Sequence, residues 1–413
     1  MPNAFDPVTI GPLTLPNRVA MAPLTRRRAY GDGLSATPLM AEYYRQRATA
    51  GLIVAEAAQP SRVGQGYTDT PGLHDTAQVA SWRPVTEAVH EAGGRIYIQL
   101  MHAGRNSHPE LLGGGLHPLA PSACAAEGVV RVHGGEPAVR KPYPIPQVLT
   151  MQGIADTIAD FADAATNAID AGFDGVELHG GYGYLIQQFL SGNANRRTDR
   201  YGGSVAGRVR FPLDLVDAVA ARIGSERLAL RISPGCTAFG LDEPDLHKLY
   251  LTLVNGLPRD LAYLHVFEFP GHRDLTVKLR EHWAGVFMLN PHETHHDWPA
   301  GPRQLRLVDD GLADILSFGT LFISNPDLVH RLRLGAPLAE ADETTFYRGD
   351  RRGYTDFPAW GKSSRDRCPA QRDRVVTGAS SRISRANAAG STLPTGRPRA
   401  GVEPCCPRSL LAQ

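Results

Sequence analysis

The chain has 413 residues, 42% of them hydrophobic, and a formal net charge of +1 with acidic and basic residues mixed along most of its length. That length and composition favour one large α/β domain over several small ones, and the balanced charge gives no electrostatic reason to expect nucleic acid or an anionic membrane as partner. No stretch approaches the roughly 20 apolar residues that span a bilayer, and the N-terminus has no charged start leading into an apolar run. A cytoplasmic protein acting on a small molecule is therefore expected. Cys124 and Cys236 are isolated, and Cys368, Cys405 and Cys406 lie near the C-terminus, so neither zinc spacing nor a disulfide framework is visible.

In chain order, the segment Gly11 to Pro16 predicts a hairpin that closes the floor of a barrel. A short apolar strand at Val19 to Pro23 leads to Leu24-Thr25. Helical spacing over Pro38 to Thr49 precedes a second apolar run at Leu52 to Ala55. A helix over Ala77 to Glu91, stopped by Gly93-Gly94, leads into the strand Ile96 to Leu100. Residues 101–150 are rich in Gly, Pro and His and lose periodicity, which predicts a long lid loop after strand three. The pattern then resumes: helix Ile154 to Ala171 and strand Val176 to His179; helix Val205 to Ile223 and strand Leu228 to Ile232; helix Asp245 to Asn255 and strand Ala262 to Val266. Helix Asp274 to Trp283 with strand Val286 to Leu289, helix Arg303 to Gly311 with strand Ile315 to Phe318, and a terminal helix Pro326 to Leu334 complete it. Eight strands alternating with helices predict a (β/α)8 TIM barrel over residues 1–362. Residues 363–413, dominated by Arg, Ser, Ala, Gly and Pro, are expected to be a disordered tail without function. Loss of activity on deleting them would overturn that expectation.

Barrels of this kind place their chemistry at the C-terminal ends of the strands. Those ends deliver Thr25, Ala57, Gln99, His179, Arg231, Glu268, Asn290 and Gly319-Thr320, a mouth suited to a planar, hydrogen-bonding ligand. Arg231 could stabilise an anionic ring or equally be spent on an acid such as Glu268. His179 gains weight from the glycine-rich turn after it, which carries Tyr182 and Tyr184. A histidine N–H and two phenols suit a reaction in which charge develops on an oxygen and a carbon is protonated. The loop His292-Glu293-Thr294-His295-His296-Asp297 admits a metal reading by spacing, but it matches no zinc-hydrolase signature, and an exposed loop with no metal is expected.

Several motifs carry a resemblance to a known family: Pro16-Asn17-Arg18 leading to Met21-Ala22-Pro23-Leu24-Thr25-Arg26, Glu42-Tyr43-Tyr44, Gly64-Gln65-Gly66-Tyr67, Gln99-Leu100-Met101-His102-Ala103-Gly104-Arg105, and Gly172 to Gly180. Arg197-Thr198-Asp199, Tyr201-Gly202-Gly203-Ser204 with Arg208, and Asn325-Pro326-Asp327-Leu328 extend it. From about Phe5 to Trp360 the chain resembles the old yellow enzymes, FMN-dependent ene reductases. The resemblance implies that Pro23, Leu24, Thr25 and Ala57 line FMN, that Gln99 bonds its pyrimidine side, and that Arg231 stabilises the reduced flavin. It further implies that Asn290, Gly319 and Thr320 lie at the phosphate end, that His179 holds the substrate carbonyl and that Tyr184 supplies the proton. In such enzymes NAD(P)H reduces FMN, which then gives hydride to the β-carbon of an electron-poor alkene, so an enone-type substrate is expected. A monomer or homodimer is expected.

The chain also departs from that family. Tyr182 stands where relatives usually carry asparagine or histidine, and Met101 where they often carry tryptophan. At the phosphate end, Asn290-Pro291-His292 and Gly319-Thr320 replace an Asn-Gly-Gly and a Gly-Arg pattern. Pro291 offers no N–H and Thr320 no charge; losing such a contact removes roughly 1.5 to 3 kcal/mol of binding. His292, His295, His296 or Arg303 are the residues nearby in sequence that could compensate. Weak FMN retention would leave a Tyr/His site for non-redox isomerisation or cyclisation, or a silent ligand-binding barrel.

Overall fold

The computed structural model describes residues 2–31, 33–133, 139–297 and 299–361; the tail expected over 363–413 lies outside them. The barrel strands are β1 (Val19–Met21), β2 (Leu52–Ala58), β3 (Ile96–Leu100), β4 (Gly175–Gly180), β5 (Leu228–Ile232), β6 (Tyr263–Phe267), β7 (Phe287–Asn290) and β8 (Ile315–Phe318). They pair in sequence order, all parallel, and close into a barrel. Every residue of these strands is buried. That is why they read as continuous apolar runs rather than as alternation, as expected of strands covered on both faces.

Helices α1 (Pro38–Arg45), α2 (Thr76–Glu91), α3 (Met151–Asp170), α4 (Val205–Ile223), α5 (Leu246–Gly256), α6 (Arg273–His282), α7 (Arg306–Asp309) and α8 (Leu328–Leu334) form the outer layer. Four start on side-chain caps: Thr37, Asp75, Thr150 and Ser204 each accept from a backbone N–H three residues on, which satisfies a donor the helix leaves open. A single large apolar cluster fills the space between helices and strands, with Val176 and Leu178 of β4 facing it.

The N-terminal hairpin Val8–Ile10 with Leu13–Leu15 plugs the floor as expected. Its Ile10 and Leu15 meet Leu52, Val54, Tyr97, Tyr263, Met288 and Ile315 from inside the barrel.

One expectation needs correction and another gains detail. The helix expected at Arg303 to Gly311 is a 3-10 turn, Pro302–Leu305, followed by the four-residue α7. Pro302 opens the tight turn, the Gln304 side chain reaches back to the Gly301 N–H at 2.9 Å, and Gly311 ends the segment at φ 76. The expected lid loop at 101–150 has structure of its own. Strands Val129–Arg131 and Arg140–Pro142 pair antiparallel, and Leu119–Ala120 pairs with Gln147–Val148.

Candidate active site

The strand register fixes who meets whom inside the barrel. His179 is level with Arg231, and Arg231 with His265, while Glu177 is level with Gln99. Period two puts Glu177 and His179 on the same inward face of β4. Glu177 accepts from Gln99 Nε2 at 2.8 Å and from His265 Nδ1 at 2.8 Å. A carboxylate can only accept, so the His265 proton sits on Nδ1, and Nε2 accepts from the Ser317 hydroxyl at 2.8 Å. Burial pushes the Glu177 carboxyl up, but His265, Arg231 and Gln99 outweigh it and hold it below the usual range. The row is thus a carboxylate and a neutral imidazole beside a guanidinium.

Above this row the chain turns sharply after β4. Gly181 approaches β5 so closely that a Cβ would lie 2.4 Å from Ser233 Oγ, and Gly183, at φ 83, would press a Cβ to 2.6 Å from Phe239. Side chains from three other segments hold the turn. Tyr182 N–H donates to Ser233 Oγ at 2.7 Å, Gly183 N–H to Gln187 at 2.7 Å, and Asn106 donates to the Gly183 carbonyl at 2.8 Å. The result points Tyr184 over His179, ring centroids 5.0 Å apart.

The mouth holds a cavity of about 600 Å³. Pro23, Thr25, Ala57, Gln99, His179 and Tyr184 line it, as do Tyr182 and Met101. The Tyr184 hydroxyl is 2.7 Å from that of Tyr67. Burial raises both phenols, with the Tyr67 bond opposing the rise at Tyr184, so both stay protonated at neutral pH. Burial, then Arg231 and His265, hold His179 well below the usual histidine range. Its Nδ1 and the Arg231 Nε are both buried with no hydrogen-bond partner among the described residues. An orphaned imidazole nitrogen at a cavity of this size fits a polar ligand, since leaving it unpaired is costly.

Other expected residues sit apart from the cavity. The Leu24 side chain belongs to the apolar core, so it offers the site backbone only. Arg231, Asn290, Gly319 and Thr320 do not line the cavity. Arg231 donates to Asn290 Oδ1 at 3.3 Å, and Asn290 donates to the Ser317 carbonyl at 2.8 Å. The alternative pairing of Arg231 with Glu268 is not formed, because Arg273 takes that carboxylate with two nitrogens. In the His-rich loop, His292 is buried with its ring stacked 4.8 Å from Phe267, while His295 and His296 are exposed. No cluster able to hold a metal occurs among the described residues.

Tyr67, Arg27, Tyr143, Phe239 and Tyr347 also line the cavity; none is marked as a site residue by its sequence context, although Tyr67 ends the motif Gly64-Gln65-Gly66-Tyr67. Tyr347 reaches the mouth because Arg26 Nε donates to the Phe346 carbonyl at 2.8 Å and the Arg348 N–H donates to the Arg26 carbonyl at 3.0 Å.

The buried histidines also set an acid limit on stability. Burial lowers His102 to about 4 and His292 to about 3, and lowers His179 and His265 as well. Below about 6.5 the unfolded chain takes up protons that the folded chain refuses, so stability falls as pH drops from there toward 4. Burial raises Glu56 and Glu243 to about 7, and these two act in the opposite sense, with fewer groups. A thermal denaturation series should show Tm falling from pH 6.5 to pH 4.5; a level Tm would contradict this.

A closed eight-stranded barrel with a histidine, a tyrosine pair and an amide lining a cavity at one mouth has the arrangement of a barrel enzyme. Comparison with known proteins gives the family. Residues 3–339 match the NADH:flavin oxidoreductase / NADH oxidase family. The chain is 38% identical to 12-oxophytodienoate reductase 1 of Oryza sativa subsp. japonica over 367 residues, 86% of this chain and 92% of that one. It is also 38% identical to a probable flavin mononucleotide-dependent alkene reductase of Leishmania infantum, covering 86% and 96%. Among solved structures it resembles morphinone reductase in complex with tetrahydroNAD (TM-score 0.80, 42% identity, covering 87% and 98%). It also resembles an old yellow enzyme homologue from Zymomonas mobilis (TM-score 0.80, 38% identity, covering 86% and 99%). The chain belongs to the NADH:flavin oxidoreductase / NADH oxidase family, the FMN-dependent old yellow enzymes.

The residues present fit the ring end of FMN: Thr25 and Gln99 offer polar groups to the cavity that Pro23 and Ala57 also line, and Arg231, outside that lining, keeps its Nε without a partner among the described residues. The phosphate end differs from the family pattern. The His292 N–H donates to Glu268 at 3.1 Å, Pro291 has none to give, and the helix that starts after Gly319 has only the five residues Thr320–Ser324.

Proposed function

We propose that this chain is an NAD(P)H-dependent ene reductase that saturates an electron-poor C=C bond conjugated to a carbonyl. Bound FMN supplies the hydride relay, from NAD(P)H to the β-carbon of the alkene. His179 donates an imidazole N–H to the substrate carbonyl oxygen, and because it is neutral it polarises that oxygen without presenting a full charge. Tyr184 gives its phenolic proton to the α-carbon, and Tyr67, hydrogen-bonded to it, is placed to return one. The sum is alkene plus NAD(P)H plus a proton giving the saturated carbonyl compound and NAD(P)⁺. Gln99 and Thr25 would hold the flavin ring when it binds, and Arg231 would balance the negative charge that the reduced ring supplies.

The observation that carries this reading is the 2.7 Å Tyr184–Tyr67 contact beside the neutral His179 in one cavity. It supports proton delivery to a carbon next to a held carbonyl. The non-redox and silent alternatives lack such support, because the polar ring-end residues are all present. Turnover of a simple cyclic enone with NADPH tests it; no consumption of either would sink it.

Two variants follow. Tyr182 sits at φ 55, in the left-handed region that suits asparagine far better than tyrosine, and its ring packs edge-on against Phe267 at 5.3 Å. Tyr182→Asn should relieve the backbone, widen the cavity and broaden activity toward simple enones. Unchanged kinetics and stereochemistry would count against a role in the pocket. At the phosphate end, Thr320→Arg should tighten FMN binding roughly ten- to a hundredfold by restoring a charge-assisted contact. Fluorescence titration of the apoprotein measures it, and an unmoved Kd would show that the phosphate is held elsewhere.

A further inference from the structure

Behind the Tyr182-Gly183-Tyr184 turn lies a buried polar chain that the proposed reaction does not use. Tyr182 and Gly183 both have left-handed backbones, at φ 55 and φ 83, a conformation that a tyrosine keeps only under constraint. On the N–H side of the turn the constraint comes from two acceptors. Ser233 Oγ takes the Tyr182 N–H and Gln187 Oε1 takes the Gly183 N–H, each at 2.7 Å. The Gln187 amide nitrogen points away from the turn, to the Ser233 carbonyl at 3.2 Å and to Glu243 Oε1 at 3.0 Å. Glu243 comes from the loop between β5 and α5. It also accepts from the Tyr250 hydroxyl at 2.6 Å and from the Gly235 N–H at 3.0 Å. Gln187, Ser233 and Tyr250 are buried and Glu243 is only 9% exposed, yet neither Gln187 nor Glu243 lines the cavity.

A carboxylate can only accept, whereas an amide can present either end. Glu243 therefore decides which end of Gln187 faces the turn. With the carboxylate in place the nitrogen is taken and the oxygen is left for Gly183. A flipped amide would set N–H against N–H at Gly183 and release the turn. Burying an acid merely to join a loop to a helix is costly, and an apolar side chain of similar size would serve as well. Orienting the amide is what the acid alone provides.

We propose that Glu243 is a positioning residue for the proton donor: by orienting Gln187 it holds the turn that sets Tyr184 over His179. The proposal rests on the ene-reductase reading for what Tyr184 does there. The groups facing Glu243 are the Tyr250 phenol from α5 and the Arg208 guanidinium from α4, with Asp242 and Asp245 exposed on its own loop and Cys236 near Tyr250. Burial outweighs the Tyr250, Gln187 and Gly235 donors and Arg208, and lifts the Glu243 carboxyl to about 7. Protonation puts a donor among groups that donate to it, so the hold on Tyr184 weakens as pH falls through about 7.

The test uses the FMN-loaded enzyme and rapid mixing, following flavin reduction by NADPH and flavin reoxidation by a cyclic enone separately. Glu243→Leu should slow reoxidation roughly ten- to a hundredfold, the effect of displacing a reacting group by about 1 Å, and leave reduction by NADPH near its wild-type rate. Glu243→Gln keeps an oxygen for the Gln187 nitrogen and should recover most of that loss. Wild-type reoxidation should also slow below about pH 7, and the glutamine variant should lose that dependence. Equal slowing of both steps, a glutamine variant as slow as the leucine one, or a pH profile common to wild type and the glutamine variant overturns the proposal. Glu243 would then be only a staple between its loop and α5. If the leucine variant fails to fold, the glutamine variant and the pH profile still decide. Backbone amide exchange over residues 181–190 reads the turn without turnover, and should be faster in the leucine variant than in wild type or the glutamine variant. Faster exchange there with no enone turnover by wild type keeps the positioning and sinks the reductase, and unchanged exchange sinks the positioning.

Discussion

Replacing Tyr184 with phenylalanine should lower alkene turnover by roughly 10²- to 10⁴-fold, the usual contribution of a positioned proton donor. The substitution removes one oxygen and keeps the ring, so its contacts with His179 at 5.0 Å and Phe239 at 6.2 Å survive, and the loss reports on chemistry rather than packing. Oxidation of NAD(P)H needs no proton from this phenol and should fall far less. Stopped-flow measurement of the two half-reactions separates them. Tyr67→Phe should cost less, within about tenfold, because it removes the neighbour of the donor and not the donor itself. If Tyr184→Phe reduced the alkene at the wild-type rate, the proton would have to come from water or from another side chain.

Glu177→Leu should destabilise the fold by about 3 to 5 kcal/mol, the range for breaking a buried charged network from one side. The carboxylate accepts from both Gln99 and His265 and is the acid nearest in effect to Arg231. Without it two buried donors and a guanidinium lose their partner at once. Glu177→Gln, which keeps the shape but not the charge, should lose less. The midpoint of urea unfolding checks both. An unchanged midpoint in the leucine variant would mean that the row contributes no stability. The same variant should weaken flavin binding, since Gln99 is held toward the mouth through Glu177.

The barrel was legible because its strands are buried on both faces and therefore stand out as short apolar runs between helices with recognisable starts and stops. The hairpin at 129–142 was not. Its strands are three residues each, Val129 and Arg140 are exposed, and nothing in their pattern separates them from loop. His179 and Tyr184 were legible from the glycine-rich turn. Glu177 lay two residues before His179, and strand period alone could have placed it beneath the site. Its partners Gln99 and His265 come from β3 and β6, however, and only the register joins them. Arg27 was hidden between two arginines, Arg26 and Arg28, that are spent on carbonyls of the C-terminal segment. Only the left-handed turn at Arg27 sends the middle side chain into the cavity. The departures at Pro291 and Thr320 were readable as residue types; that the His292 N–H is turned to Glu268 was not.

The measurement that bears most directly on the central claim is the visible absorption spectrum of the purified protein with an anaerobic NADPH titration, followed by addition of an enone. An FMN ene reductase gives a yellow protein, bleached by one equivalent of NADPH per flavin and restored to colour by the enone. A colourless protein that takes up no FMN, or a flavin that NADPH reduces but no enone reoxidises, would contradict the account.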